Sequence, residues 1–419
     1  MESRLVLAKY KPKIIAITGS VGKTSTKDAV YAVLSGVSHV RKSEKSYNSE
    51  IGLPLTILGI PNGWNNPWIW FSNILKGLSL FLFPHKYPKW LVLEVGVGKE
   101  GDMQKTALWL KTDVVIITTI GETPAHIEFF TSRKSLIEEK TKLIKTLKKD
   151  GLLILNYDDE DVSEMRSKTK SLVTTFGFKP GADVLGTQES ILYNASEDPE
   201  GIIFRVEDEK GGNSLPVVIG GAFGKNHKYA SLASIALAFG LKLNVINAID
   251  ALQKYDAPPG RMRLLKGIND SMIIDDTYNS SPFACEGAVK TLGEVRAKNR
   301  KIAVLGDMLE LGKHTVEAHE KVGRLAKDNC DILIVVGQRA QAIKSGAIDA
   351  GMDPNNILEF KDAADAGEFM KTFVKKNDFI LVKGSQKMRL ERVVEAIILD
   401  KENKNKILVR QDDAWLGKK

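Results

Sequence analysis

One stretch constrains this chain more than any other: KIIAITGSVGKTSTK, residues 13–27. The apolar run Ile14, Ile15, Ala16, Ile17 reads as a buried strand that breaks at Gly19 and Gly22, and Thr24 opens a helix. Strand, glycine turn and helix start form a phosphate-binding geometry. Backbone N–H groups close around an anion there, the helix dipole favours negative charge, Lys23 adds a point charge and the Thr24 hydroxyl can ligate Mg²⁺. The glycine spacing departs from the common pattern, because Ile17 stands where its first glycine would fall and Gly19 comes instead.

A chain of 419 residues exceeds one typical core, and its 43% apolar content supports well-packed domains. The net charge of +8 suits anionic substrates such as nucleotides, but the lysines are scattered and form no nucleic-acid-binding arm. Cys285 and Cys330 are the only cysteines, which excludes a disulfide framework and a thiolate zinc site. The N-terminus lacks the apolar core and cleavage site of a signal peptide, so a cytoplasmic protein is expected.

Segment 64–90 holds four of the six tryptophans. Its centre, residues 68–83, is shorter than the about 20 apolar residues that span a bilayer. As a helix it places Ser72, Lys76 and Ser79 on one narrow face, with Phe71, Ile74, Leu75, Leu78 and Leu82 opposite. Two placements fit: a packed core or inter-domain hairpin, or a helix resting on a membrane surface. Next, KWLVLEVGVG is a strand ending in Glu94, a candidate Mg²⁺ ligand at the crevice of an open sheet. Residues 113–120 form another strand, leading into a loop that carries His126. A helix over 132–148 follows, in which Lys140 lies on the stripe of Leu136, Ile137, Leu143, Ile144 and Leu147 and so needs a partner, a modification or an exit to the surface. From about residue 168 to 218 short alternating segments read as a small antiparallel region. Residues 256–261, DAPPGR, mark a linker, giving domains 1–256 and 257–419. Beyond it MIIDDTYNSSP, KIAVLGDMLELG, DILIVVG and FILVKGSQ alternate strands with helices and end in polar residues, as a second, Rossmann-like α/β domain would. GDMLELG is not a dinucleotide fingerprint, so no NAD is inferred.

In this order the pieces resemble the Mur ligase family, within it the branch that adds D-alanyl-D-alanine. The matching pieces are TGSVGKTST, YNSEIGLP, LEVG, the His126 loop, the Lys140 helix, PPGRM, DDTYNSSP, VLGDMLELG with His319 after it, and VKGSQKMRLE. The resemblance implies an α/β fold: a P-loop-type ATPase domain with a mostly parallel sheet, then a Rossmann-like domain. It implies an ATP-dependent peptide ligase of cell-wall precursor synthesis that activates a peptide carboxylate as an acyl phosphate and joins it to a dipeptide or related amine. Carried over by motif, Thr18, Gly19, Ser20, Val21, Gly22, Lys23 and Ser25 hold the ATP phosphates. Thr24 and Glu94 bind one Mg²⁺, and His126 a second. Lys140 matches the lysine that these ligases carbamylate with CO₂ into a carboxylate-like metal ligand. Arg261 reaches the γ-phosphate, while Asp276, Tyr278 and Asn279 supply nucleotide and closure contacts. Asn48, Asp307, Glu310, His319, Lys383 and Ser385 are the candidate substrate contacts.

Two departures qualify the resemblance. Family members begin with a domain that grips a UDP-sugar, whereas here the phosphate loop starts about a dozen residues in, so the acceptor is expected to be held differently or not to be UDP-linked, with 64–90 compensating. The family's HNxxN-like helix start becomes Asn226-His227-Lys228-Tyr229-Ala230, which leaves the adenine contacts open. Other readings are a pseudomurein-type or folylpolyglutamate-type ligase, or a nucleotide-binding scaffold without turnover. A monomer without nucleic-acid partners is expected.

Overall fold

The computed structural model describes residues 2–44, 47–121, 127–208, 212, 214–412 and 415. His126 lies outside these residues. Two sheets organise the chain. The first contains β1 (Lys13–Thr18), β2 (Val40–Lys42), β3 (Trp90–Glu94), β4 (Thr112–Ile117), β5 (Leu147–Asn156), β6 (Leu172–Gly177), β7 (Val184–Tyr193), β8 (Pro199–Asp208) and β9 (Ser214–Gly220), in the order β2-β3-β1-β4-β5-β6-β7-β8-β9. The second contains β10 (Arg263–Lys266), β11 (Met272–Asp276), β12 (Lys301–Gly306), β13 (Ile332–Val336), β14 (Ile357–Phe360) and β15 (Phe379–Lys383), in the order β10-β11-β15-β12-β13-β14.

β1 explains why the first sheet is parallel and buried. Ile15 and Ile17 enter one core cluster and Ile14 and Ala16 the other, so both faces are covered and the strand reads as an unbroken apolar run. One face carries α2 (Lys23–Ser35) and the helix Lys225–Gly240. The other carries α1 (Glu2–Tyr10), α3 (Gly52–Leu58) and α4 (Pro67–Leu82), together with Asp102–Ala107 and Arg133–Thr141. The first core runs on into the second domain, where Phe223 meets Phe379 edge-on with ring centroids 6.1 Å apart.

Several local expectations change. The helix expected over 132–148 ends at Thr141, and a short 3-10 turn carries Leu143 and Ile144 into the core. Leu147 is already paired with Thr112 as the start of β5, so sheet pairing overrides helical periodicity there. The small antiparallel region expected over 168–218 is present as one edge of the same sheet: β6 and β7 continue it in parallel, and β8 and β9 follow in antiparallel order. The four-residue strands β10 and β14, too short for a periodic signal, close the two edges of the second sheet.

Segment 64–90 packs on the protein along one side only, where Trp70, Leu80 and Tyr87 lie against the core. α4 forms as a helix, but Trp68 is 77% exposed and Phe71, Ile74, Leu75, Leu78 and Leu82 all face outward. Only the narrow opposite side, with Asn73 and Gly77 buried, rests on the protein.

Candidate active site

The phosphate loop is clamped by the strand beside it. Ser20 N–H and Val21 N–H donate to Thr119 O at 2.7 and 3.1 Å, and the Thr118 hydroxyl donates to Val21 O at 2.7 Å. At Gly19, with φ +148°, a Cβ would stand 2.0 Å from Thr118 Oγ1, so no larger residue fits this approach. The Thr118-Thr119 pair did not stand out in the sequence. Its signal was only a polar pair at the end of an apolar strand.

Behind the loop, α2 starts at Lys23 with Thr24, Ser25 and Thr26 buried in its first turn. The Thr24 hydroxyl donates to Glu94 Oε2 at 2.9 Å, which puts the end of β3 against the start of α2. Asn48 Nδ2 donates to Glu94 Oε1 at 3.2 Å, and Ser43 Oγ accepts from Glu94 N–H. Glu94 is thus a buried strand-end carboxylate with both oxygens engaged, not a solvated one.

Two lysines converge on one carbonyl. Lys23 Nζ and Lys140 Nζ each lie 2.9 Å from Gly19 O. Burial lowers the Lys23 ammonium's pKa, opposed by Glu94 and reinforced by Arg261. Lys140 is only 4% exposed, and burial first, then repulsion from Lys23, drives its pKa well below that of an ordinary lysine. The alternative in which Lys140 reaches the surface therefore fails. Its neighbour Glu139 is occupied elsewhere, accepting from Met103 N–H at 2.7 Å and from Lys142 at 2.6 Å.

Gly19, Ser20, Lys23 and Lys140 line a cleft of about 430 Å³ whose other wall is Asn48, Ser49, Glu50, Ile51 and Gly96 to Gly98. The buried Ser20 hydroxyl has no hydrogen-bond partner, which a phosphate oxygen would supply. Hard oxygen donors suited to Mg²⁺ are present in Thr24 and Glu94, with phosphate and water completing the shell. Among the described residues no cluster of three His, Cys, Asp or Glu could hold a metal unaided.

The second domain reaches this point through Arg261. Its Nη2 donates to Thr24 Oγ1 at 3.1 Å, and its guanidinium stacks 3.9 Å over the Tyr278 ring. Behind it, Asp276 accepts from Met262 N–H and from Lys383 at 2.6 Å, and Lys383 also donates to Asn279 O. Burial raises the pKa of Asp276, with Lys383 acting against that shift. Asp275, which the sequence reading passed over, holds Gly260 N–H and both donors of Thr277, and burial raises its pKa to about 6.

The other substrate candidates sit deeper in the second domain. The Ser385 hydroxyl accepts from Leu309 N–H and donates to Ser280 O. One Asp307 oxygen accepts from Ala340 N–H. His319 is fully buried, with Nδ1–H donating to Thr315 O and Nε2 accepting from Met308 N–H, so both ring nitrogens brace the loop after β12. It presents no free nitrogen to a substrate. Glu310 on that loop has φ +64°, and neighbouring Gly312 faces Glu128 of the first domain.

Ala230 is fully buried within helix Lys225–Gly240, with no face toward the cleft. His227, one turn earlier, accepts from the Tyr255 hydroxyl at Nδ1 and donates from Nε2 to Arg261 O at 2.6 Å. Burial holds its pKa down at about 4, below its ordinary 6.5. A depressed folded-state pKa gives stability that is present above pH 6.5 and lost as pH falls to 4, about 3 kcal/mol for this gap. Thermal melts should therefore show the advantage of the wild type over His227→Gln shrinking between pH 6.5 and 4; a constant difference would refute the assignment.

Fold and site together define an ATP-dependent ligase built from a phosphate-loop domain and a second α/β domain. The Mur ligase middle-domain model matches residues 17–69 and 71–238, and the Mur ligase glutamate ligase domain matches 260–386. The chain belongs to the Mur ligase family. It is 28% identical over 399 residues to the UDP-N-acetylmuramoyl-tripeptide–D-alanyl-D-alanine ligase of Bacillus subtilis, covering 94% of this chain and 78% of that one. The crystal structure of MurF ligase from Thermotoga maritima in complex with ADP superposes with TM-score 0.76 at 26% identity, covering 96% and 83% of the two chains. A pseudomurein peptide ligase type C from Methanothermus fervidus shares the fold, with TM-score 0.63 at 19% identity.

Proposed function

We propose that this ligase joins D-alanyl-D-alanine, or a related amine, to the terminal carboxylate of a peptide-bearing cell-wall precursor. The convergence of Lys23 and Lys140 on the Gly19 carbonyl, beside the Thr24–Glu94 pair that Arg261 reaches, carries the reading. Lys23 and Arg261 supply positive potential where charge builds during phosphoryl transfer. The relatives named for D-alanyl-D-alanine addition point to the amine.

In the first step a carboxylate oxygen of the acceptor attacks the γ-phosphorus of ATP; the bond to the β,γ-bridging oxygen breaks, leaving an acyl phosphate and ADP. In the second, the dipeptide amine attacks the acyl carbon, phosphate departs with the C–O electron pair, and the amine loses a proton. Lys23 and the loop amides orient the phosphates, Arg261 meets the transferring group from the linker, and Ser20 offers its unpartnered hydroxyl. Mg²⁺ held by Thr24 and Glu94 would neutralise phosphate charge, with His126 the candidate for a second ion. We read Lys140 as a carbamate-bearing residue. In this reading the ligase acts as a monomer in the cytoplasm, drawing on the ATP there.

The test is incubation with ATP, Mg²⁺, bicarbonate, a panel of muramoyl-type peptide acceptors and D-alanyl-D-alanine, following ADP and product by mass spectrometry. One ADP per ligated peptide is expected, requiring both substrates. ADP release without any ligated product would overturn the proposal.

A further inference from the structure

α4 is built as a finished helix with nothing covering its outer face. Asn66 caps its start, accepting from Trp68 N–H and Ile69 N–H, and Pro67 occupies the first turn. At its other end Lys9 donates to the carbonyls of Leu80, Phe81 and Phe83, and the Tyr10 hydroxyl to Leu80 O. The inner side is held closely: at Gly77 a Cβ would stand 2.1 Å from Glu2 Oε2, and Asn73 Nδ2 donates to Pro61 O.

The outer side carries large apolar groups at helical spacing. Trp68, Phe71, Leu75, Leu78 and Leu82 fall three and four residues apart and are all exposed, Leu82 to 64%. Exposed Trp64 and Phe83 extend the stripe past both ends. A folded protein seldom leaves so continuous an apolar surface to water. At 16 residues α4 is about 24 Å long, too short to cross a bilayer, and no described helix is long and apolar enough to do so.

Charge selects the occupant. Residues 51–93 contain no aspartate or glutamate, and exposed Lys76, Lys86 and Lys89 flank the stripe. A second copy packed on this face would bring these lysines toward their own duplicates with no acidic residue of the segment to answer them. Phosphate-bearing headgroups answer them directly, while Trp and Phe side chains suit the boundary between headgroup and acyl chain.

We propose that α4 seats this ligase on an anionic lipid bilayer, its apolar stripe among the acyl chains and its lysines at the headgroups. The helix is already formed and capped, so docking demands no folding. α4 packs beside α1 and α3. Ser3 and Arg4 of α1 and Pro54 of α3 line a second hollow that shares Glu50 and Thr106 with the catalytic cleft. The docking helix therefore rests on the elements bordering the site. The proposal goes beyond the ligase reading and does not depend on which peptide is the acceptor.

The full chain should co-sediment with phosphatidylcholine vesicles containing phosphatidylglycerol, about tenfold more than with phosphatidylcholine alone, and less as salt rises. The pair Leu75→Asp and Leu78→Asp should lower vesicle binding about 100-fold while ADP formation in solution is unchanged. In the wild type, brominated lipids should quench tryptophan fluorescence, and Trp68→Phe should reduce that quenching, a readout that stands if the double variant fails to fold. Wild-type protein left in the supernatant with every vesicle would overturn the proposal. So would equal binding by a folded double variant, or a dimer in sedimentation velocity that the variant dissolves without any vesicle binding by the wild type.

Discussion

Replacing Lys140 by alanine is expected to lower kcat for ligation by roughly 10²–10³, with small carboxylates such as formate or acetate restoring part of the loss. The physical basis is its environment. A fully charged lysine there would be buried beside the Lys23 ammonium with a carbonyl as its partner, an arrangement that burial and like-charge repulsion both oppose. Burial and the neighbouring Lys23 both favour the neutral amine, whose free electron pair is the nucleophile in the carbamate reading proposed above. Attack on CO₂ forms an N–C bond, releases one proton and leaves a carbamate anion. In that reading the sign of the charge reverses: the group beside Lys23 would be negative, and repulsion would become attraction.

Two measurements separate a carbamate from an ordinary structural lysine. Native mass spectrometry at neutral pH should show the mass of one bound CO₂, lost on acidification and missing from Lys140→Ala. Ligation should slow when bicarbonate and dissolved CO₂ are removed, in the wild type only. Full activity of Lys140→Ala without added carboxylate would sink the idea.

Lys140 also shows what sequence can and cannot disclose. Helical periodicity placed it on an apolar stripe, and the structure buries it; that inference needed only spacing and the cost of an unpaired ammonium. The end of its helix was illegible, because Leu147 belongs to a strand whose partner, Thr112, lies far away in sequence. The phosphate loop was legible for the same local reason as Lys140, whereas its clamp by Thr118 and Thr119 depends on β4 lying beside β1. His319 was legible only as a motif residue. A histidine after a glycine-rich strand end looks available, but its role is set by two backbone groups that only the folded loop brings to it. For α4, sequence left burial and membrane contact both open, since a helix with so wide an apolar face has the same pattern in either setting; the structure shows that this face is not covered by the protein.

The second large effect is expected at Arg261, where alanine should reduce kcat by about 10³-fold, or about 4 kcal/mol, with a smaller change in the KM for ATP. Arg261 belongs to neither domain alone. Its carbonyl accepts from His227 of the first domain, its guanidinium lies on Tyr278 of the second, and its Nη2 reaches Thr24 at the phosphate loop. Placing it therefore requires both domains in register, and in the proposed mechanism its charge meets the transferring phosphate only with the domains together. Lysine should recover little, because an ammonium cannot reproduce a planar group that stacks on one side and donates from its edge. Tyr278→Ala, which keeps the charge but removes the stacking surface, should fall between wild type and Arg261→Ala. Rapid-quench measurement of acyl phosphate formation will place the loss in the first chemical step. A kcat for Arg261→Ala within threefold of wild type would show that the linker arginine holds the domains together without taking part in transfer.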